Sequence, residues 1–274
     1  MRRWKAFASS LCAWLALAAA PPAAADIVTY YVGVDGRTTP FNAPDTDGAG
    51  AYPSNPNFNH LTLLLHHGDH YHGIGQHAYS GAAATPTLND TNANNRVPET
   101  FTALPPLTLR RGSGPTWGDA YRSGIPTSFA QDDEYGNVEL RNAHSLVGED
   151  DVTFNSSAGR WATPFDAADI HLQLVSATAG LHIAIANQLS ALVAGGDVHL
   201  GAGNEFFSLL PTFWVDAAAA IGSRYSAEFR LLDRSGTFGD SGRFFFDFQV
   251  VPTPGSTALL LLGSALLLAG RRRL

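Results

Sequence analysis

The sequence predicts an all-β protein, with a β-sandwich or jelly-roll-like body and long loops. Three observations carry this expectation. Amphipathic helical periodicity is scarce along the 274 residues. Short runs of β-branched, aromatic and aliphatic residues recur between Gly, Pro, Asn and Asp, which punctuate strands. Two late segments alternate: Tyr225, Ala227, Phe229 and Leu231 against Ser226, Glu228, Arg230 and Leu232, then Phe244, Phe246 and Phe248 against Phe245, Asp247 and Gln249. A period of two sends successive side chains to opposite faces of a sheet.

In chain order, strands are expected at 27–34, 60–66, 107–111, 138–141, 152–155, 170–176, 181–187, 205–210, 225–232 and 243–251. The last two flank a Gly-containing turn from Asp233 through Gly236 and read as a hairpin. Segments 35–58 and 80–100 are rich in Pro, Asn, Thr, Gly and Ala and are expected to be surface loops. Residues 217–221 could start a helix, but one too short to matter, and a soft boundary near residue 160 could divide an irregular first half from a more regular second half.

The two ends differ from this body. Arg2, Arg3 and Lys5 precede an apolar stretch, and Ala23-Ala24-Ala25 precedes Asp26. That order is a secretory signal, residues 1–25, with its cleavage site. At the other end, Pro252-Thr253-Pro254-Gly255 breaks regular structure, a Leu-rich run follows to Gly270, and Arg271, Arg272 and Arg273 come next. Fourteen helical residues would reach roughly 21 Å, against a hydrocarbon core of roughly 30 Å. Terminal arginines hold such a segment on the cytoplasmic side. Residues 251–274 resemble the PEP-CTERM sorting signal, with Thr253 where that family has Glu. The resemblance implies an exosortase-type protease as partner. It also implies transient inner-membrane anchoring through the tail, then release to the cell surface or extracellular matrix.

The body, residues 26–250, has no cysteine and no lysine, because Cys12 and Lys5 both lie in the signal. Disulfides and thiolate metal sites are excluded. With three basic residues in each end segment, 11 remain in the body against all 24 acidic ones, a net charge of −13. Such a body repels nucleic acid and anionic lipid and attracts cations.

One segment carries chemistry. Six of the ten histidines fall between residues 60 and 77: His60, His66, His67, His70, His72 and His77, with Asp69 among them. In a strand over 60–66, His60, Thr62, Leu64 and His66 share a face and His67 lies on the other. Gly68, Gly73 and Gly75 allow sharp turns that fold Asp69, His70 and His72 back toward the strand end. Neutral imidazoles are the commonest protein ligands for zinc, and a carboxylate can join them. All seven residues are therefore candidate metal ligands, foremost His66, His70 and His72. Zn2+ is the expected ion, and Cu, Ni and Co suit the same N/O donors. His67 and Asp69 are expected as further ligands or as groups that orient the imidazoles. Among the remaining histidines, His171, His182 and His199 sit in or near expected strands and read first as core or edge residues, a second metal site using His171, His199 or Glu205 is the lesser alternative, and His144 is uninformative. The bland alternative is a solvated polar loop.

The signal, the segment His66-His67-Gly68-Asp69-His70-Tyr71-His72-Gly73-Ile74-Gly75, the segments 203–214 and 225–233, and the sorting tail together resemble the PEP-CTERM proteins repressed by the zinc-uptake regulator. The resemblance implies expression under zinc shortage and a zinc-related role outside the inner membrane, in capture, buffering or hand-over, and no known reaction. Two other functions compete. Leu65-His66-His67-Gly68-Asp69-His70 partly matches the H-x-H-x-D-H signature of metallo-β-lactamase-fold hydrolases, with Leu65 in the first His position and the alternating αβ pattern missing. A structural matrix protein is the third. No Ser-His-Asp arrangement stands out, and Gly73 and Gly75 lack the strand–helix context of a dinucleotide site.

The end segments generate a direct expectation. N-terminal sequencing of the exported form should find Asp26 first. Deleting Arg271, Arg272 and Arg273 should change retention in the inner membrane, and unchanged localisation would refute the sorting role of the tail.

Overall fold

The computed structural model describes residues 27–39, 54–82, 84–125, 135–146 and 159–252. The expected signal, the expected sorting tail beyond Pro252 and the strand expected at 152–155 lie outside them. No helix among the described residues is long and apolar enough to cross a membrane. The strands are β1 (Ile27–Val34), β2 (Leu61–His67), β3 (His70–Ile74), β4 (Ala78–Ser80), β5 (Thr87–Asn89), β6 (Arg96–Val97), β7 (Leu107–Arg111), β8 (Ala120–Arg122) and β9 (Asn137–Asn142). They continue with β10 (Asp169–Ala177), β11 (His182–Ile185), β12 (Gln188–Leu192), β13 (Asp197–Ala202), β14 (Ser208–Leu209), β15 (Thr212–Asp216), β16 (Arg224–Asp233) and β17 (Phe244–Val250). A one-turn helix, α1 (Gly114–Trp117), and a 3-10 turn (Ala143–Leu146) are the helical pieces among the described residues. The described residues are all-β.

A five-stranded sheet runs β14-β9-β1-β2-β3, and a ten-stranded sheet runs β12-β11-β15-β8-β7-β17-β16-β10-β13 with β6 beside β17. Most pairs are antiparallel, but β1 pairs with β9, and β17 with β6 and β7, in parallel. The larger sheet rolls up like a barrel where a sandwich or jelly roll was expected. Four ladder steps separate β15 from β16, which in a flat sheet is about 19 Å. Yet the ring of Phe213 on β15 lies 6.3 Å from that of Phe229 on β16 and 4.5 Å from that of Phe248 on β17. A sandwich face and a barrel interior ask for the same alternation, so the pattern alone does not separate them.

The predicted hairpin forms: β16 and β17 pair with Tyr225 opposite Phe248 and Phe229 opposite Phe244. Phe244, Phe246 and Phe248 are fully buried and pack with Phe213 and Phe229. On the outer face Arg96 reaches Asp247 with two hydrogen bonds of 2.7 Å and lies over the Phe245 ring.

Four expectations need correction. Residues 80–100 are not simply a surface loop, since they contain β5 and β6 and bury Asn95, Val97 and Glu99. Asn95 earns its burial by hydrogen bonding: its side chain accepts from the Gly75 and Gln76 amides and donates to the Gln76 and Arg243 carbonyls. Residues 217–221 form turns and no helix, and of 205–210 only Ser208–Leu209 pair as a strand. Nor is residue 160 a break in the sheets, because β14 pairs with β9, β15 with β8 and β17 with β7 across it. In 35–58, the described residues include buried Asp35, held by two hydrogen bonds from the Arg160 guanidinium, one of them 2.9 Å long.

Truncating the aromatic core should be costly. Phe246→Ala should lower stability by about 3–5 kcal/mol in urea denaturation, the usual range for a buried Phe. Phe245→Ala, on the half-buried outer face, should cost clearly less. Equal losses would contradict the inward assignment of Phe246.

Candidate metal centre

Strand β2 is buried from Leu61 to Leu65 and emerges at His66 and His67. Its neighbours are β1 on one side and β3, at the sheet edge, on the other. The chain then reverses in two residues, Gly68 and Asp69. Gly68 has φ 64° and Asp69 does not share the positive φ, the pattern of a type II′ turn with Gly first. Thr62 Oγ1 donates to the Ile74 carbonyl at 2.9 Å, and Trp161 Nε1 donates to the Tyr71 carbonyl at 3.2 Å. The hairpin is thus held from inside the sheet and from the edge of β3.

Register decides which histidines meet. In the β2–β3 ladder His67 faces His70, His66 faces Tyr71 and Leu65 faces His72. Directly opposed residues share a face, and so do residues two apart. His67, His70 and His72 therefore lie together on one face of the tip. Their ring centroids are 5.9, 5.3 and 4.5 Å apart, and one nitrogen from each lies within 4.8 Å of the others. In tetrahedral zinc the ligand nitrogens sit about 3.3 Å apart, from Zn–N bonds of about 2.0–2.1 Å. Small side-chain rotations close that difference.

Of the seven sequence-predicted ligands, these three converge and the other four do not. His66 points to the opposite face, stacked on Tyr71 with centroids 5.0 Å apart. The expected foremost trio contained His66; the ladder puts His67 in its place, because β3 is a strand and its alternation continues across the turn. Asp69 is at the exposed turn, its Oδ1 2.8 Å from His70 Nδ1. That hydrogen bond holds the Asp69 carboxyl below its ordinary pKa. It also favours the proton on Nδ1 of His70 and leaves Nε2 with a free lone pair. Asp69 thus holds the His70 ring and stands apart from the three converging nitrogens. His72 has its pKa lowered by burial first and by the neighbouring imidazoles second, so it stays neutral to lower pH than a free imidazole.

His60 and His77 form a separate pair. Their rings meet edge-on at 5.1 Å, and His60 Nδ1 lies 2.7 Å from the Asp240 carbonyl. That carbonyl can only accept, so His60 carries its proton on Nδ1. His77 is largely buried with no well-aligned partner on either ring nitrogen.

Two residues of the site escaped sequence reasoning. Phe101 packs its ring 5.3 Å from His67 and 4.8 Å from His72, walling one side of the cluster. Glu99 anchors that segment from below. It is buried, accepts a short hydrogen bond from the Tyr30 hydroxyl on β1 and takes a second from Tyr135 at 3.2 Å. Burial raises the pKa of both Glu99 and Tyr30. No spacing in the sequence signals this pair, since β1 and residue 99 meet only through the fold.

The remaining histidines separate in the same way. His182 stacks on Trp214 at 4.3 Å, and His144 lies beside Phe206 at 5.2 Å. His171 and His199 face each other across β10 and β13 and meet Asp169. Glu205 stays in its own turn, accepting from the Ala202 amide. Comparison with protein-family models, with curated proteins and with solved structures finds no match.

The buried His77 makes stability depend on pH. Burial lowers its pKa first and His60 second; the Asp240 backbone and then Asp90, 3.8 Å away, oppose, and Arg230, bound to Asp90, adds to the lowering. The unfolded chain, with imidazole near 6.5, then binds a proton that the folded chain refuses. Stability should be full above about pH 6.5 and should fall as pH drops toward the folded-state pKa. Urea midpoints between pH 7.5 and 5 should fall less steeply in His77→Gln than in the parent protein. Identical slopes would exclude His77 as a contributor.

Proposed function

We propose that the protein binds zinc through His67, His70 and His72 as an exported, surface- or matrix-associated protein that captures, buffers or hands over the ion when zinc is scarce. The convergence of three imidazoles on one face of a two-residue hairpin carries this reading. Three nitrogen ligands leave a fourth position for water or for a ligand from a recipient. Asp69 supplies the carboxylate that commonly accompanies a metal-binding histidine. An acidic body raises the local concentration of cations. The end segments support export and sorting by an exosortase-type protease, and the resemblance to zinc-regulator-repressed PEP-CTERM proteins supports the zinc-limited setting.

Hand-over suits the exposure of the site better than catalysis does. Hydrolytic metal sites work in dry, shaped cavities that hold a substrate beside the metal-bound water. Here His67 and Asp69 are exposed at a hairpin tip, and Phe101 walls one side. The partial hydrolase signature would also give Asp69 a metal, whereas Asp69 holds His70. The matrix-protein alternative predicts no saturable metal uptake at the tip.

Calorimetric titration of untagged protein with zinc at pH 7.5 tests the proposal. Saturable uptake is expected. His70→Ala/His72→Ala should abolish the hairpin component, and His67→Ala should weaken it by about tenfold or more. His66→Ala and His60→Ala should leave it unchanged. Uptake should weaken below about pH 6, because imidazole must be neutral to ligate and titrates near 6.5. A hairpin component that survives His70→Ala/His72→Ala would overturn the assignment.

A further inference from the structure

The outer face of β10 and β13 holds a second set of metal-type donors, in a different sheet from the hairpin. On β10 the core side is Ile170, Leu172 and Leu174, all buried. Asp169 and His171 alternate with them and point outward. On the neighbouring β13, Asp197 and His199 share the corresponding face. The ladder pairs Asp169 with Ala202, Ile170 with Gly201, and then His171 with His199, so the register steps past Leu200. Such a bulge bends the strand and re-aims its side chains. Gly201 makes it feasible with φ 150°, a conformation that side-chain-bearing residues rarely adopt. As a result His199 reaches both His171 and Asp169.

The geometry is close to that of a coordination sphere. Asp169 Oδ1 lies 3.0 Å from His199 Nε2 and 3.5 Å from His171 Nε2, and the two rings are 5.0 Å apart. Ligands bound at about 2.0–2.2 Å to one tetrahedral ion are separated by about 3.3 Å, so these pairs need almost no movement. The carboxylate is also fixed by its backbone. The Asp169 amide donates to Asp233 Oδ1 at 2.8 Å, and its carbonyl accepts from the Arg234 amide at 2.8 Å. Asp233 is itself held by the amides of Ser235 and Phe238.

We propose that Asp169, His171 and His199 form a second, independent divalent-metal site, with two imidazole nitrogens and one carboxylate oxygen as ligands. Asp197 is the orienting group behind it. Its Oδ2 lies 3.2 Å from His171 Nδ1, a solvent-free atom without a well-aligned hydrogen bond. A metal on Nε2 fixes the proton on Nδ1 and turns the ring into line with Asp197, the arrangement that metal-bound histidines adopt. Arg234 holds Asp197 by contacts of 2.6 and 3.2 Å and balances its charge, which keeps Asp197 from becoming a fourth ligand. With N and O donors only, the set suits zinc and its neighbours over calcium or magnesium, which take oxygen cages. Three protein ligands leave one or more positions to solvent. The competing account of the same contacts is an ordinary surface His–Asp ion pair.

The test isolates this face from the hairpin. In the protein carrying His67→Ala/His70→Ala/His72→Ala, equilibrium dialysis against zinc should still find one bound equivalent, and adding zinc should raise the melting temperature. Introducing His199→Ala or Asp169→Asn into that background should remove both the equivalent and the thermal shift. His199 is more than half exposed, so its truncation should not disturb folding, and a native-like near-UV CD spectrum checks this. Asp197→Asn should weaken binding by roughly ten- to a hundredfold without abolishing it. His182→Ala should change nothing. No bound zinc in the hairpin-null protein, or binding that survives both His199→Ala and Asp169→Asn, would leave only the ion pair and overturn the proposal. The hairpin site is read separately, in the converse background of His199→Ala with the hairpin intact.

Discussion

The register of β2 between β1 and β3 is the constraint on which the candidate centre depends. Residues 61–65 are buried on both faces of that strand. A slip of one residue would carry His67 to the face of His66 and reverse every side chain along β2. Two features prevent it. The tight turn at Gly68 and Asp69 fixes the pairing of β2 with β3, and buried leucines facing Tyr30, Tyr31 and Val32 fix its pairing with β1. The apolar core thereby sets the relative positions of three polar rings that it does not itself contain.

The larger sheet acts on its own metal-type cluster by a related route. Rolling the sheet around Phe213, Phe229, Phe246 and Phe248 commits alternate residues of β10 to the interior. Asp169 and His171 are left outward. A bulge on β13 then aligns His199 with them, so a departure from ideal pairing assembles the donors. Both clusters follow one scheme, in which strands carry the imidazoles and a carboxylate stands behind one of them: Asp69 behind His70 and Asp197 behind His171. Preorganisation of this kind would limit the ordering cost of the proposed ion uptake.

Buried polar groups explain why loop-like sequence becomes structure. Asn95, Glu99 and Asp35 come from segments whose composition reads as surface loop. Each is buried because its hydrogen bonds are met: Asn95 by the chain around Gln76 and Arg243, Glu99 by two tyrosine hydroxyls, Asp35 by Arg160. Unmet, each would cost on the order of 1–3 kcal/mol or more. Glu99 also lies two residues before Phe101, whose ring packs against His67 and His72.

By itself the sequence determined the all-β class, the β16–β17 hairpin, the lack of cysteine in residues 26–250 and the histidine-rich segment, because period-two alternation and composition are local properties. The bounds of β1 and β7 were legible for the same reason. It did not determine β3, where glycine and histidine hide the alternation, nor the exchange of His66 for His67 in the converging trio, which depends on cross-strand register. Rolled sheet and sandwich also share one pattern of buried and exposed positions. Only the tertiary structure decided that Asp169 meets His171 and His199, that His60 and His77 pair apart from the tip, and that Glu99 and Phe101 belong to the hairpin site. Each of these contacts joins residues whose separation along the chain carries no periodic signal, so strand pairing and core packing alone bring them together.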